Sequence, residues 1–181
     1  MEDRYEIRLS GEGGQGLVLA GKILAEAAAL YDGKNATQSQ SYGPEARGGA
    51  SRSDVIISAG EIDYPKAINL DLLLALTQES VDKYICDLKP QGILVLDSHA
   101  VSDPPDFGGR VVKVPVVKLA KEKVGKIIVA NMVALGVIVG IAGVVTPEAT
   151  ENALLTRVPK GTQEINLKAF RMGMEEAGTR E

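Results

Sequence analysis

The six residues Gly11-Glu12-Gly13-Gly14-Gln15-Gly16 restrict the folds open to this 181-residue chain more than any other stretch. They fit the pattern G-x-G-x-x-G. They stand between Tyr5 to Ser10, which reads as a short strand, and Leu17 to Tyr31, an Ala-rich helix closed by Asp32-Gly33. Glycines at such a place let the backbone turn tightly with positive φ and let a ligand approach the main chain. The free N–H groups that open the following helix, together with its dipole, favour an anion by roughly 0.3–1 kcal/mol. The strand before and the helix after give the pattern its weight. A tight strand-to-helix turn with no ligand is the other reading the glycines allow.

The rest of the chain continues the alternation. Asn35 to Ser41 reads as a polar strand, Tyr42 to Ala50 as a loop marked by Gly43-Pro44 and Gly48-Gly49, and Ser51 to Ser58 as a strand. Leu72 to Leu76 and Gly92 to Asp97 are apolar throughout, and Val111 to Val114 is a further short strand. Helices are expected at Glu79 to Leu88, Lys118 to Val124, Ala130 to Ala142, Thr146 to Leu155 and Gln163 to Glu176; Thr146, Pro147 and Glu148 form a good helix start. Apolar strands alternating with helices predict one α/β domain over residues 1–181. It is a three-layer, Rossmann-like arrangement with a mostly parallel sheet covered by helices on both faces. Ile127 to Val145 is long and apolar enough to resemble a membrane span. Gly136, Gly140 and Gly143 interrupt it and a new helix follows at once, so the reading is a buried helix packed closely through small residues, with no membrane partner.

Several chemistries are excluded. A nicotinamide dinucleotide needs an acidic residue at the end of the second strand. Here that strand ends Ser39-Gln40-Ser41, while Asp32 belongs to the preceding turn. Aromatic residues make up 4% of the chain and the net charge is -4, which argues against nucleic acid as a partner. One cysteine, Cys86, cannot form an internal disulfide or hold an iron–sulfur cluster, and with the single His99 it makes a zinc site improbable. No metal site is therefore expected, and a reducing, cytoplasmic compartment fits. His99 and Asp97 lack a nucleophile signature around them, so no catalytic residue is assigned. Cys86 is expected to be a packing residue. Lys22 and the lysines between Lys118 and Lys126 are expected on wet helix faces.

The stretch from Gln40 to Asp54 combines rigid turn residues with Tyr42, Glu45, Arg47 and Arg52, and tyrosine and arginine are side chains that protein interfaces prefer. These four are the expected partner interface. Gly11 to Gly16, the run QSYGPEARGGASRSDVIIS, Ile62-Asp63-Tyr64-Pro65 and Leu74-Ala75-Leu76-Thr77-Gln78-Glu79 together resemble the gamma subunit of 2-oxoacid:ferredoxin oxidoreductases, in its 2-oxoglutarate branch. The resemblance implies a subunit that is inactive alone and works with alpha and beta catalytic subunits and a ferredoxin-like delta subunit, with ferredoxin as electron acceptor. It implies that thiamine diphosphate and iron–sulfur clusters sit in those partners. It also implies that this subunit contacts coenzyme A through Gly11, Gly13, Gly14, Gln15 and Gly16, with Asn131 beside them. A subunit specific for pyruvate or a branched-chain 2-oxoacid, or a stand-alone nucleotide-binding protein, are the alternatives.

Overall fold

The computed structural model describes residues 4–41 and 50–179. Six strands, β1 (Arg4–Glu12), β2 (Asn35–Ser41), β3 (Ala50–Ser58), β4 (Leu70–Ala75), β5 (Leu88–Asp97) and β6 (Arg110–Val114), form one sheet in the order β2-β3-β1-β4-β5-β6. β1, β4, β5 and β6 run parallel, while β3 is antiparallel to both of its neighbours, β1 and β2. The expected mostly parallel α/β architecture is therefore present, with one antiparallel strand inserted beside β1.

The helices are α1 (Leu17–Glu26), α2 (Gln78–Tyr84), α3 (Val116–Leu119), α4 (Ala130–Ala142), α5 (Pro147–Arg157) and α6 (Gln163–Gly178). The larger core packs α1, α4, α5 and α6 on one face of the sheet, against Ile7 and Leu9 of β1, Leu72 and Leu74 of β4, and Val112 and Val114 of β6. The opposite face is thinner. It holds Leu73, Leu94 and Leu96 beneath Val81 and Tyr84 of α2. β1 shows why the two faces differ: Ile7 and Leu9 point to the larger core, whereas the alternate residues Glu6, Arg8 and Ser10 are buried polar groups.

α4 is the apolar stretch that resembled a membrane span. Among the described residues, no helix is long and apolar enough to cross a membrane. α4 is instead buried from Ala130 to Val139. Its glycines bring α6 close: a Cβ on Gly136 would lie 2.0 Å from Phe170 O, and one on Gly173 would lie 2.0 Å from Val133 O.

Several boundaries differ from expectation. β1 runs on to Glu12, pairing Gly11 with Ser51 and Glu12 with Ala50, so Gly11 is a strand residue and the turn proper starts at Gly13. The helix expected to reach Leu88 stops at Tyr84, and one 3-10 turn (Ile85–Asp87) leads into β5, which begins at Leu88 rather than Gly92. Tyr84 takes the inward position there, and the turn leaves Cys86 exposed, which corrects its reading as a packing residue. The lysine-rich segment is α3 followed by a π-helical turn (Ala120–Val124), with Lys118, Lys121, Lys123 and Lys126 exposed as expected.

Candidate functional site

The turn Gly13 to Gly16 closes with Gln15 N donating to Glu12 O at 3.2 Å. Gly14 (φ 95°) and Gly16 (φ 76°) occupy the left-handed region, which side chains other than glycine adopt only at a cost. Among the described residues, a Cβ on Gly13 or Gly14 would meet nothing within 4 Å, so they leave the outer side of the turn open. Gly11 has another reason to be glycine. Gln15 folds back so that its Oε1 accepts from Glu12 N at 2.8 Å, and a Cβ on Gly11 would lie 2.1 Å from that oxygen. The side-chain oxygen of Gln15 is thus spent on bracing the turn, which leaves its Nε2 as the donor group.

Two helix N-termini converge on this turn. Gly16 caps α1 without any side-chain hydrogen bond, and no acidic residue stands in the first turn of α1. α4 likewise starts with no side-chain cap and no acid in its first turn. Asn131, in that first turn of α4, donates from Nδ2 to Gly16 O at 3.2 Å. The pair leaves no space between them: a Cβ on Gly16 would be 2.5 Å from Asn131 Nδ2. Asn131 is 5% exposed, and its Oδ1 is the buried side-chain polar atom left without a partner among the described residues. A buried acceptor without a partner costs on the order of 1–3 kcal/mol, so this oxygen is placed to receive a donor from outside the chain. Positive helix ends, free amides, an open turn and one waiting acceptor suit an anionic ligand that also carries N–H or O–H groups.

The turn is tied to its surroundings by hydroxyls. Ser51 Oγ donates to Gly11 O at 3.2 Å, and Ser10 Oγ donates to Ser51 O at 2.9 Å while meeting Ser80 Oγ at 3.0 Å. Of the four expected interface residues, Tyr42, Glu45 and Arg47 lie outside the described residues. Arg52 is described: its guanidinium lies over the Tyr84 ring at 5.8 Å and 3.9 Å from Asp54.

Asp32 is committed elsewhere. It accepts from both Thr146 N and Thr146 Oγ1 at 2.7 Å, tying the start of α5, so it is not free to hold a ribose. Asp97 is equally occupied, accepting from His99 N, Ala100 N and Val117 N at 2.8–3.1 Å. His99 is exposed beside Ser98. Neither residue forms a catalytic pair.

Sequence reasoning missed one polar centre. Arg8 is almost fully buried, yet it donates to Asp54 at 2.7 and 3.1 Å, to Asp87 and to Ala67 O, and lies 4.8 Å from the Tyr84 ring centre. Burial opposes its charge, but hydrogen bonds and attraction from Asp54 and Asp87 outweigh that and hold it protonated beyond the usual arginine range. The available signal was a lone arginine in the inward-alternating strand Tyr5 to Ser10. This centre holds β1, β3 and the end of α2 together and lies away from the glycine turn. A hollow of about 590 Å³ around Tyr5, Asp71 and Gly92 also lies away from the turn, toward the other end of β1.

Comparison with known proteins gives the family of the chain. The pyruvate ferredoxin/flavodoxin oxidoreductase family matches residues 6–176. The 2-oxoglutarate synthase subunit KorC of Methanocaldococcus jannaschii is 51% identical over 96% of this chain and 94% of its own length. The crystal structure of a keto/oxoacid ferredoxin oxidoreductase gamma subunit from Geobacter sulfurreducens superimposes with a TM-score of 0.88 at 55% identity, covering 97% of this chain and 99% of that one. A 2-oxoglutarate:ferredoxin oxidoreductase from Magnetococcus marinus, solved with 2-oxoglutarate, coenzyme A and succinyl-CoA, shares the fold at a TM-score of 0.88; it is 22% identical and the match covers 32% of that longer chain. The chain belongs to the pyruvate ferredoxin/flavodoxin oxidoreductase family, as a subunit of the gamma type.

Proposed function

We propose that this family member is the gamma subunit of a 2-oxoglutarate:ferredoxin oxidoreductase and that its glycine turn binds coenzyme A. The assembled enzyme converts 2-oxoglutarate and coenzyme A, with oxidised ferredoxin, into succinyl-CoA, carbon dioxide and reduced ferredoxin. Thiamine diphosphate and iron–sulfur clusters, held by alpha, beta and delta partners, supply the decarboxylation and electron-transfer chemistry. The near-full-length identity to a 2-oxoglutarate synthase subunit supports the substrate. The observation that carries the binding role is the unpartnered Asn131 Oδ1 where the N-termini of α1 and α4 meet.

Coenzyme A suits that place. Its pyrophosphate matches the free amides at the start of α1 and the open turn at Gly13 and Gly14. Its pantetheine arm carries amide N–H groups that Asn131 Oδ1 can accept. Nothing in this arrangement transfers an electron or a proton. Its contribution is orientation of the second substrate, an effect that can lower a barrier by several kcal/mol. The segment around residues 40–54, including Tyr42, Glu45, Arg47 and Arg52, is the surface proposed to meet the catalytic subunits.

Asn131→Ala in the assembled enzyme tests the site. Losing one hydrogen bond of about 1 kcal/mol or more should raise KM for coenzyme A roughly five- to tenfold. KM for 2-oxoglutarate should stay the same. An unchanged KM for coenzyme A contradicts the proposal.

A further inference from the structure

Residues 59–69, between β3 and β4, contain no regular secondary structure, yet side chains from the sheet hold seven of their backbone groups, among them Gly60 N, which donates to Ser58 Oγ at 3.1 Å. Asn35 Nδ2 donates to Gly60 O at 2.9 Å. Arg4 donates to Tyr64 O at 2.7 Å and to Lys66 O at 3.0 Å, and Arg8 donates to Ala67 O at 3.2 Å. Glu6 Oε2 accepts from Ile68 N at 2.6 Å and from Asn69 N at 2.9 Å. Ala67 is buried as an anchor. A loop held at so many points keeps its outward side chains in fixed positions, which lowers the entropy cost of binding through them.

Among its outward side chains, two are large and apolar. Tyr64 is 50% exposed and Ile68 57%. Scattered exposed apolar residues need no explanation, but these two line the same hollow, of about 520 Å³. Its rim carries a charge surplus. Arg4 is committed to Glu6, and Lys89 to Asp71 at 2.7 Å, so the carboxylates of Glu61 and Asp63 dominate what remains.

We propose that this hollow is a docking site for a basic, apolar segment of another subunit. An arginine or lysine of that segment lays its stem on Tyr64 and meets Glu61 and Asp63 with its charge, and a neighbouring aliphatic residue covers Ile68. Tyrosine and arginine are the side chains that most often dominate interface energies, and a cation over a tyrosine ring adds attraction. A second copy of this chain fits less well, because a two-fold contact would set the same acidic rim against itself. The hollow sits at the Arg4 end of β1 and the glycine turn at its other end, about 26 Å away for a strand of this length. A partner can therefore grip the chain here while the turn stays open. The inference rests on the reading of the chain as an assembly subunit.

The test uses the co-expressed assembly with the photo-crosslinking residue p-benzoylphenylalanine in place of Tyr64. The expected product joins Tyr64's position to a peptide of a different subunit that carries a lysine or arginine beside an aliphatic residue. Crosslinking to a second copy of this chain overturns the proposal, and so does an intact assembly with no crosslink. In parallel, Glu61→Lys with Asp63→Lys should weaken retention of the partner subunits about tenfold or more, while the melting curve of the isolated variant matches wild type. Unchanged retention overturns the proposal as well. If the wild-type chain joins no other subunit at all, the assembly reading fails with it; an assembly that forms with Tyr64 untouched removes only the docking site.

Discussion

At the residue scale, the glycines were the most legible part of the site and also the most uneven. Positive φ at Gly14 and Gly16 follows directly from a strand-to-helix turn. Gly11 looked like a third member of the same set, but its role is to leave room for Gln15. The Arg8 centre was not legible, because its carboxylates come from 46 and 79 positions further along the chain. Asn131 was visible only through family resemblance, since its partner Gly16 lies 115 positions away. Tyr5 allows a measurement at this scale. Burial, with a smaller contribution from the negative charge of Asp71, pushes its phenol up to about 12. The folded chain therefore keeps a proton on Tyr5 that the unfolded chain loses near pH 10. Stability from this group is complete below pH 10 and is lost as pH rises from 10 to 12. In a spectrophotometric titration of phenolate absorbance, one tyrosine should ionise near pH 12, and Tyr5→Phe should remove that late phase. A variant that still shows it would assign the shift to another residue.

At the scale of elements, starts were easier to read than ends. Thr146 caps α5 by accepting from Ala149 N at 3.2 Å, with Pro147 at the first helical position, as the local sequence states. The end of α2 was misplaced because the nearest stop signals, Pro90 and Gly92, lie beyond Leu88, whereas tertiary packing of Tyr84 and Leu88 decides where the helix stops. The close pairing of α4 with α6 was half legible: Gly136 and Gly140 suggested a tight contact, but not the partner helix. That contact makes a signed prediction. In an ordinary helix interior, Gly→Ala stabilises by up to about 1 kcal/mol. Gly136→Ala should instead destabilise by about 2 kcal/mol or more, since its Cβ would overlap Phe170 O at 2.0 Å. Thermal unfolding of the isolated chain should show a fall in Tm of several degrees. A rise in Tm would mean that the two helices are not packed this closely.

At the scale of the whole molecule, apolar strands alternating with helices were enough to read the α/β layers. The antiparallel β3 was not, because no local signal states which strand lies beside β1. In the proposed reading, the two ends of β1 divide the work of the chain. One end carries a positive, open turn fitted to an anion, and the other carries a pinned loop with apolar and acidic side chains. The most direct test compares Gly13→Ala with Gly13→Asp in the assembled enzyme. Both side chains project into space that is open among the described residues and neither meets a positive φ, so folding is spared. A carboxylate placed about 5 Å from a pyrophosphate costs on the order of 3 kcal/mol at an effective dielectric near 20. The account predicts that Gly13→Asp raises KM for coenzyme A in succinyl-CoA formation by roughly a hundredfold. Release of carbon dioxide in a single turnover without coenzyme A should be unaffected, and Gly13→Ala, which adds bulk but no charge, should raise KM for coenzyme A far less than Gly13→Asp. Equal loss of both steps in Gly13→Asp, or no loss in either, would contradict coenzyme A binding at this turn.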